Sequence, residues 1–226
     1  MTGLRVAVRA DASRTLGSGH VMRCLTLAEV LRARGATVQF ICRPDHGHLG
    51  TRITGQGFGL HWLPDTVIWH ADADAQHTLA ALGPNGCDVL LVDHYALGAA
   101  WQATLRPACR RLVAIDDLAD RPHAADLLLD QNLGRQPGDY AALLPAAATR
   151  LIGPAFALLR PEFAAARAAS LARRAGGRLQ HLLVSMGGAD PQQATLRVLQ
   201  ALRHCTLPAD AHLTVVLGAA ADTRPA

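Results

Sequence analysis

Apolar residues in this chain gather into short unbroken runs, and the stretches between them carry apolar positions at helical spacing. The runs at 4–10, 37–42, 60–64, 88–93, 112–116, 127–130 and 150–153 predict strands. That at 88–93, Asp-Val-Leu-Leu-Val-Asp, is apolar throughout between two aspartates, the pattern of a central parallel strand buried on both faces. After the first run, Val21, Cys24, Leu25, Ala28 and Leu31 fall on one helical face that Gly35 closes. Further helices are expected over 46–55, 71–82 and 99–106. Strand followed by helix, with short turns, predicts a doubly wound parallel α/β layer.

A second unit begins near residue 178. An alanine-rich helical stretch at 160–174 runs into Gly176-Gly177, followed by a strand at 179–186, a Gly-Gly turn at 187–191 and a helix at 192–204. Pro191 fits the start of that helix. A last strand is predicted at 212–217. The chain therefore divides into an N-terminal domain at 1–154, a connecting helix and hinge at 155–177, and the start of a C-terminal domain at 178–226. A complete parallel layer needs more strands, so the second domain is expected to be cut short, leaving apolar surface on its last strand.

Composition narrows the chemistry. The 226 residues can bury a real core, and no apolar run approaches the ~20 residues of a membrane span. The N-terminus enters a strand directly, without a basic segment and apolar stretch ahead of it, so a cytoplasmic protein is expected, with no membrane partner. Every basic side chain is arginine, which rules out a P-loop lysine, a Schiff base or pyridoxal phosphate within these residues. The formal charge of +4 is spread along the chain with few aromatics, so no nucleic-acid stripe is read. Five cysteines stand apart with no Cys-x-x-Cys pair, which reads as buried thiols, neither a disulfide framework nor a zinc site. Glu29 and Glu162 are the two glutamates, so a glycosidase-like carboxylate pair would have to come from aspartates.

The stretch from Arg9 to Cys24 carries the sharpest chemical signal. Gly17 and Gly19 allow a tight turn and a close approach to backbone. His20 then opens a helix whose free N–H groups and dipole attract an anion, at the carboxyl end of a strand. The same residues also read as a simple turn followed by a solvated imidazole. Asp93-His94-Tyr95 ends another strand, either lining a ligand cleft or packing as structural residues. Asp116-Asp117 reads as a Mg²⁺ ligand pair or as turn and helix caps. His46-x-His48 beside Asp45 reads as half a metal site without a further partner at readable spacing, or as loop; Asp130-Gln-Asn132 is a candidate cleft rim, and Arg160 a candidate fork for phosphate or a surface arginine.

Arg9-x-Asp11, Gly17-Ser-Gly-His20-x-x-Arg23, Val92-Asp-His-Tyr95, Ile115-Asp-Asp117, Phe156-Ala-Leu-Leu-Arg-Pro-Glu-Phe163 and Met186-Gly-Gly-x-Asp190 occur in this order along the chain. Together they resemble the UDP-2,4-diacetamido-2,4,6-trideoxy-β-L-altropyranose hydrolases of bacterial pseudaminic acid synthesis. The resemblance implies a GT-B-like fold of two Rossmann-like domains, here with the second incomplete. It implies a metal-independent, inverting hydrolase without cofactor, acting as a monomer on a UDP-sugar in surface or flagellin glycosylation. His20 corresponds to the catalytic general base, and imidazole suits such proton transfer. Arg9, Asp11, Gly17, Gly19, Tyr95, Arg160, Gly187 and Gly188 are the expected substrate-binding residues, Arg160 falling on the nucleotide-contacting arginine. A GT-B glycosyltransferase and a non-catalytic nucleotide-sugar-binding remnant are the alternatives.

Overall fold

The first seven apolar runs become neighbouring strands of one sheet in the structure, a computed structural model that describes residues 3–66, 68–187, 190 and 192–218. In chain order the elements are β1 (Arg5–Ala10), α1 (Gly19–Ala33), β2 (Thr37–Cys42), α2 (Gly50–Gly55), β3 (Gly59–Trp62) and α3 (Ala71–Leu82). They continue as β4 (Cys87–Asp93), α4 (Ala99–Leu105), β5 (Cys109–Ile115), β6 (Leu127–Asp130) and β7 (Thr149–Ile152). The sheet order is β3-β2-β1-β4-β5-β6-β7, with every pair parallel. The order reverses at β1, where Val6 pairs with Val38 of β2 on one side and Val89 of β4 on the other. In open α/β sheets the crevice beside such a reversal is where ligands collect.

Helices cover both faces, which explains the unbroken apolar runs. Successive strand residues point to opposite faces, so Leu90 and Leu91 enter different cores. One core packs Val8, Phe40 and Leu91 under Val21, Cys24 and Leu25 of α1, with Ile53 of α2 and Phe58. The other joins Ala7, Leu90, Leu112 and Leu128 to Trp101, Leu105 and Tyr140. Burying a leucine or phenylalanine in either contributes roughly 1.5–3 kcal/mol.

The helix expected over 46–55 begins only at Gly50. Residues 45–48 form a turn instead, with His48 N–H bonded to Asp45 O at 2.9 Å. Gly47 sits at φ +91° within 2.9 Å of the Arg14 backbone nitrogen, measured from where a Cβ would stand, so helical geometry is unavailable there.

Beyond β7, α5 (Pro161–Arg174) starts with Arg160 as its N-cap and proline at its first position. Then β8 (His181–Ser185), α6 (Ala194–Leu202) and β9 (His212–Val216) form a β-α-β unit whose two strands are parallel, His181 opposite His212. Val184 and Thr195 are buried in this unit, while Leu183, Leu213, Val216 and Leu217 are exposed. Pro191, expected at the start of α6, lies outside the described residues.

A buried ion cluster fastens β1 to α3. All five N–H donors of the fully buried Arg9 are used. Nε and Nη2 reach Asp74 at 3.1 and 2.6 Å, Nη1 and Nη2 reach Asp11 at 2.6 and 2.8 Å, and Nη1 also reaches Ile41 O at 3.4 Å. Trp69 and Trp101 donate their indole N–H groups to Asp74. Burial works against ionisation of Asp11 and Asp74, but Arg9 outweighs it and holds both carboxyls below their ordinary range. Arg9→Leu leaves two buried carboxylates without their cation, so it should lower the unfolding free energy by about 3–5 kcal/mol in urea melts near neutral pH. Carboxyls depressed in the fold stabilise it above their unfolded value of 3.8 and lose that contribution as pH falls. The gap between wild type and variant should therefore narrow in acid; a loss below about 1 kcal/mol at pH 7 contradicts the assignment.

Candidate active site

The carboxyl edge of the sheet gathers four buried aspartates, Asp11, Asp93, Asp116 and Asp130. Gly17, at φ +78°, ends a small loop closed by paired backbone bonds between Ser13 and Gly17. It delivers the chain to α1, whose first residue is Gly19 and whose first-turn N–H groups have no intrahelical acceptor. A Cβ at Gly19 would meet nothing within 4 Å, so the space beside that backbone is open.

His20 occupies the first turn of α1 and is 5% exposed. Its Nδ1 stands 2.6 Å from Oδ1 of Asp93, the last residue of β4. Asp93 is fully buried; burial opposes its ionisation, but Arg23 and then His20 outweigh that and hold the carboxyl below its ordinary range. An ionised Asp93 accepts the Nδ1 proton, which leaves the lone pair of the neutral ring on Nε2. Tyr95 packs edge-on against the imidazole, ring centroids 4.5 Å apart at 81°. Arg23, one helical turn after His20, forks onto the same carboxylate through Nε and Nη2, each at 2.6 Å, and its Nη1 reaches Asp117 at 2.7 Å. Chemically this is an oriented base: an imidazole whose tautomer is set by a carboxylate that a guanidinium keeps ionised.

The residues expected to touch substrate separate into groups. Gly17, Gly19, His20 and Tyr95 come together at this edge. Arg9 and Asp11 do not reach the surface, and this corrects their expected role: both are buried and their polar atoms are consumed by each other, Asp74 and the Arg43 N–H. Arg160 caps α5 with its guanidinium 5.5 Å from the Phe163 ring centroid. The segment leading to it is tied to the end of β6, where Leu158 N–H bonds Gln131 Oε1 at 2.9 Å. Gly187 follows β8 at φ +88°, and Gly188 lies outside the described residues.

Asp116 and Asp117 diverge. Asp116 turns inward to accept from Ala119 N–H, Leu118 N–H and Tyr140 OH, holding Ala119 at φ +52°. Asp117 turns outward to Arg23 and Asn132. Asp74 and Arg135 escaped sequence reasoning. For Asp74 a signal existed: it shares the inward face of α3 with Ala75, Thr78 and Leu82, where an aspartate needs a cation. For Arg135 there was none.

A seven-stranded parallel sheet with an imidazole–carboxylate pair beside its point of reversal is a Rossmann-like α/β domain carrying a candidate acid–base site. In structure the chain is similar to MurG of Acinetobacter baumannii, with a TM-score of 0.55 at 14% identity, covering 95% of this chain and 67% of that one. The fold is thus GT-B-like. In sequence it is similar to the UDP-2,4-diacetamido-2,4,6-trideoxy-β-L-altropyranose hydrolase of Campylobacter jejuni, 24% identical over 88% of this chain and 66% of that protein. An uncharacterized protein of Methanocaldococcus jannaschii is 25% identical over 95% of this chain and 43% of its own length. The chain therefore spans only part of these relatives, and no protein-family model matches it. No helix among the described residues is long and apolar enough to cross a membrane.

His94, beside this site, supplies a test of the buried charges. Burial and then the Arg9 guanidinium push its ring down to about 4, although Asp11 pulls the other way. Its Nε2 lies 3.5 Å from Asp11 and its Nδ1 accepts from Ala96 N–H, so at neutral pH the ring is an uncharged member of the network. A histidine depressed in the fold stabilises it above the unfolded value of 6.5 and loses that contribution as pH falls to about 4. Wild type should thus lose stability between those values, by up to about 3 kcal/mol, more steeply than His94→Gln. Identical slopes in melts across that range count against a neutral, buried His94.

Proposed function

We propose that this chain acts on UDP-sugars, with His20 as the general base of a hydrolase. The reaction is cleavage of a UDP-linked 2,4-diacetamido-2,4,6-trideoxy sugar at its anomeric C–O bond. UDP and 2,4-diacetamido-2,4,6-trideoxy-L-altrose are released, the latter for pseudaminic acid synthesis and surface glycosylation. The observation that carries the reading is the 2.6 Å contact between His20 Nδ1 and Asp93, in a chain similar to a hydrolase of that name. Neutral Nε2 takes a proton from water as the water oxygen attacks C1 opposite the nucleotide. The C1–O bond breaks, its electron pair leaves on the diphosphate, and the imidazolium is balanced by Asp93 until its proton returns to solvent. Inversion at C1 follows from this in-line path.

Charge on the departing diphosphate needs donors. The open first turn of α1, from Gly19 on, supplies backbone N–H groups, and Arg160, Gly187 and Gly188 are assigned to the nucleotide. UDP is already a good leaving group, so no protonated acid partner is assigned. A glycosyltransferase, in which a sugar hydroxyl takes the place of water, draws on the same GT-B-like fold.

Purified protein incubated with the UDP-sugar and no acceptor should release UDP continuously. His20→Ala should lower kcat by at least ~100-fold while leaving the Kd for UDP unchanged, and Asp93→Asn should lower kcat by a similar order through the wrong tautomer. UDP release that requires an added acceptor favours the transferase. No release from the wild-type chain under either condition leaves a binding role.

A further inference from the structure

An open pocket of about 600 Å³ lies beside His20, at the carboxyl ends of β4, β5 and β6. That is within the ~300–1,000 Å³ of small-molecule sites. Tyr95 and Arg23 form the wall it shares with the imidazole, and Asp117, Asn132, Leu133 and Arg135 form the rest. Its polar atoms have settled orientations. Asn132 Nδ2 gives its two hydrogens to Asp117 Oδ1 at 3.2 Å and Asp130 Oδ1 at 2.9 Å, so the amide cannot flip and its Oδ1 is an acceptor. Asp117 Oδ1 is bound by Arg23 and Asn132, whereas its Oδ2 has no hydrogen bond among the described residues. Tyr95, 39% exposed, is a phenol whose OH offers a donor, and burial of part of the ring raises its pKa further above the ordinary range. Leu133 is 90% exposed at the rim, an apolar side chain with nothing to cover it in this structure.

The charge balance tells which end of a ligand fits. Arg23 is neutralised by Asp93 and Asp117. Arg135 lies 2.9 Å from Asp130 and 3.7 Å from Asp139, and donates to Asp117 O. Both guanidiniums that line the pocket are thus already held by carboxylates, and the polar atoms left open, Asp117 Oδ2 and Asn132 Oδ1, are acceptors, so a group with N–H or O–H donors fits better than a diphosphate. Resting on the hydrolase reading above, we propose that this pocket binds the acylamino face of the sugar. Asp117 Oδ2 and Asn132 Oδ1 accept its N–H and hydroxyl hydrogens, Tyr95 OH donates to an acyl carbonyl, and Leu133 covers an acyl methyl. The substrate thereby lies with its neutral end over β5 and β6 and its diphosphate on the α1 side of His20. Asp117, Asn132 and Leu133 are specificity-determining residues.

The test titrates free N-acetylglucosamine and UDP separately into isotope-labelled protein, following the Asn132 side-chain amide and the Leu133 and Gly134 backbone signals by NMR. The sugar should move these signals and UDP should not. Asp117→Asn turns an acceptor into a donor at constant shape and should lower kcat/KM for the UDP-diacetamido sugar about 10- to 100-fold, with the Kd for UDP unchanged. Leu133→Ala, at a fully solvated position that cannot unfold the chain, should raise KM severalfold with kcat retained. The proposal is overturned if UDP moves the Asn132 signals, if the sugar does not, or if both variants keep kcat/KM within twofold. A wild type that binds the sugar at Asn132 but never releases UDP would sink the hydrolase reading and leave this pocket standing.

Discussion

The carboxylate of Asp93 is the constraint on which the site depends. It stands at the end of a central strand with no exposure to water, so it has to be paired to remain ionised. Its partners come from one helix: His20 and Arg23, one turn apart on α1, with the Cys24 thiol 3.5 Å from Oδ2. Pairing therefore sets where α1 lies on the sheet, which imidazole nitrogen carries the proton, and where the remaining nitrogen is offered. Removing the carboxylate would strip the orienting group from the base and leave Arg23 with Asp117 as its remaining side-chain acid.

The same device recurs along the carboxyl edge. Asp11 follows β1, Asp93 ends β4, Asp116 follows β5 and Asp130 ends β6, and all four are buried. Each is met by an arginine: Arg9, Arg23, Arg121 and Arg135. A parallel sheet places these strand ends on one side, so a row of aspartates spaced far apart in sequence becomes a row of ion pairs in space. Arginine suits the task because its fork can hold two acceptors at once and stays charged when buried. The abundance of arginine in the composition is put to use here in the support of the strand ends.

The architecture was legible to a large extent because strand and helix periods are local. The run at 88–93 announced a central strand, and it is one; the helix at 71–82 matches α3 to the residue. The helix expected from residue 46 failed where Gly47 must pass close to the Arg14 backbone, a contact between segments that no local pattern encodes. In the site, Gly17, Gly19, His20 and Tyr95 were read from a turn and two strand ends, positions that topology brings to one edge. Arg9 and Asp11 were misplaced for the opposite reason. Their expected role rests on the family resemblance, and Asp74, from a helix more than sixty residues away, draws Arg9 inward.

By itself the order of apolar and polar residues determined the strands, the helices, the parallel layer and the turn that presents His20, since each follows from hydrophobic period and glycine placement over a few residues. Tertiary structure alone decided which charges face solvent and which face one another. It paired His20 with Asp93, hid Arg9 behind Asp74, and parted Asp116 from Asp117, because electrostatic partnership depends on distance through space and burial, neither of which sequence separation records.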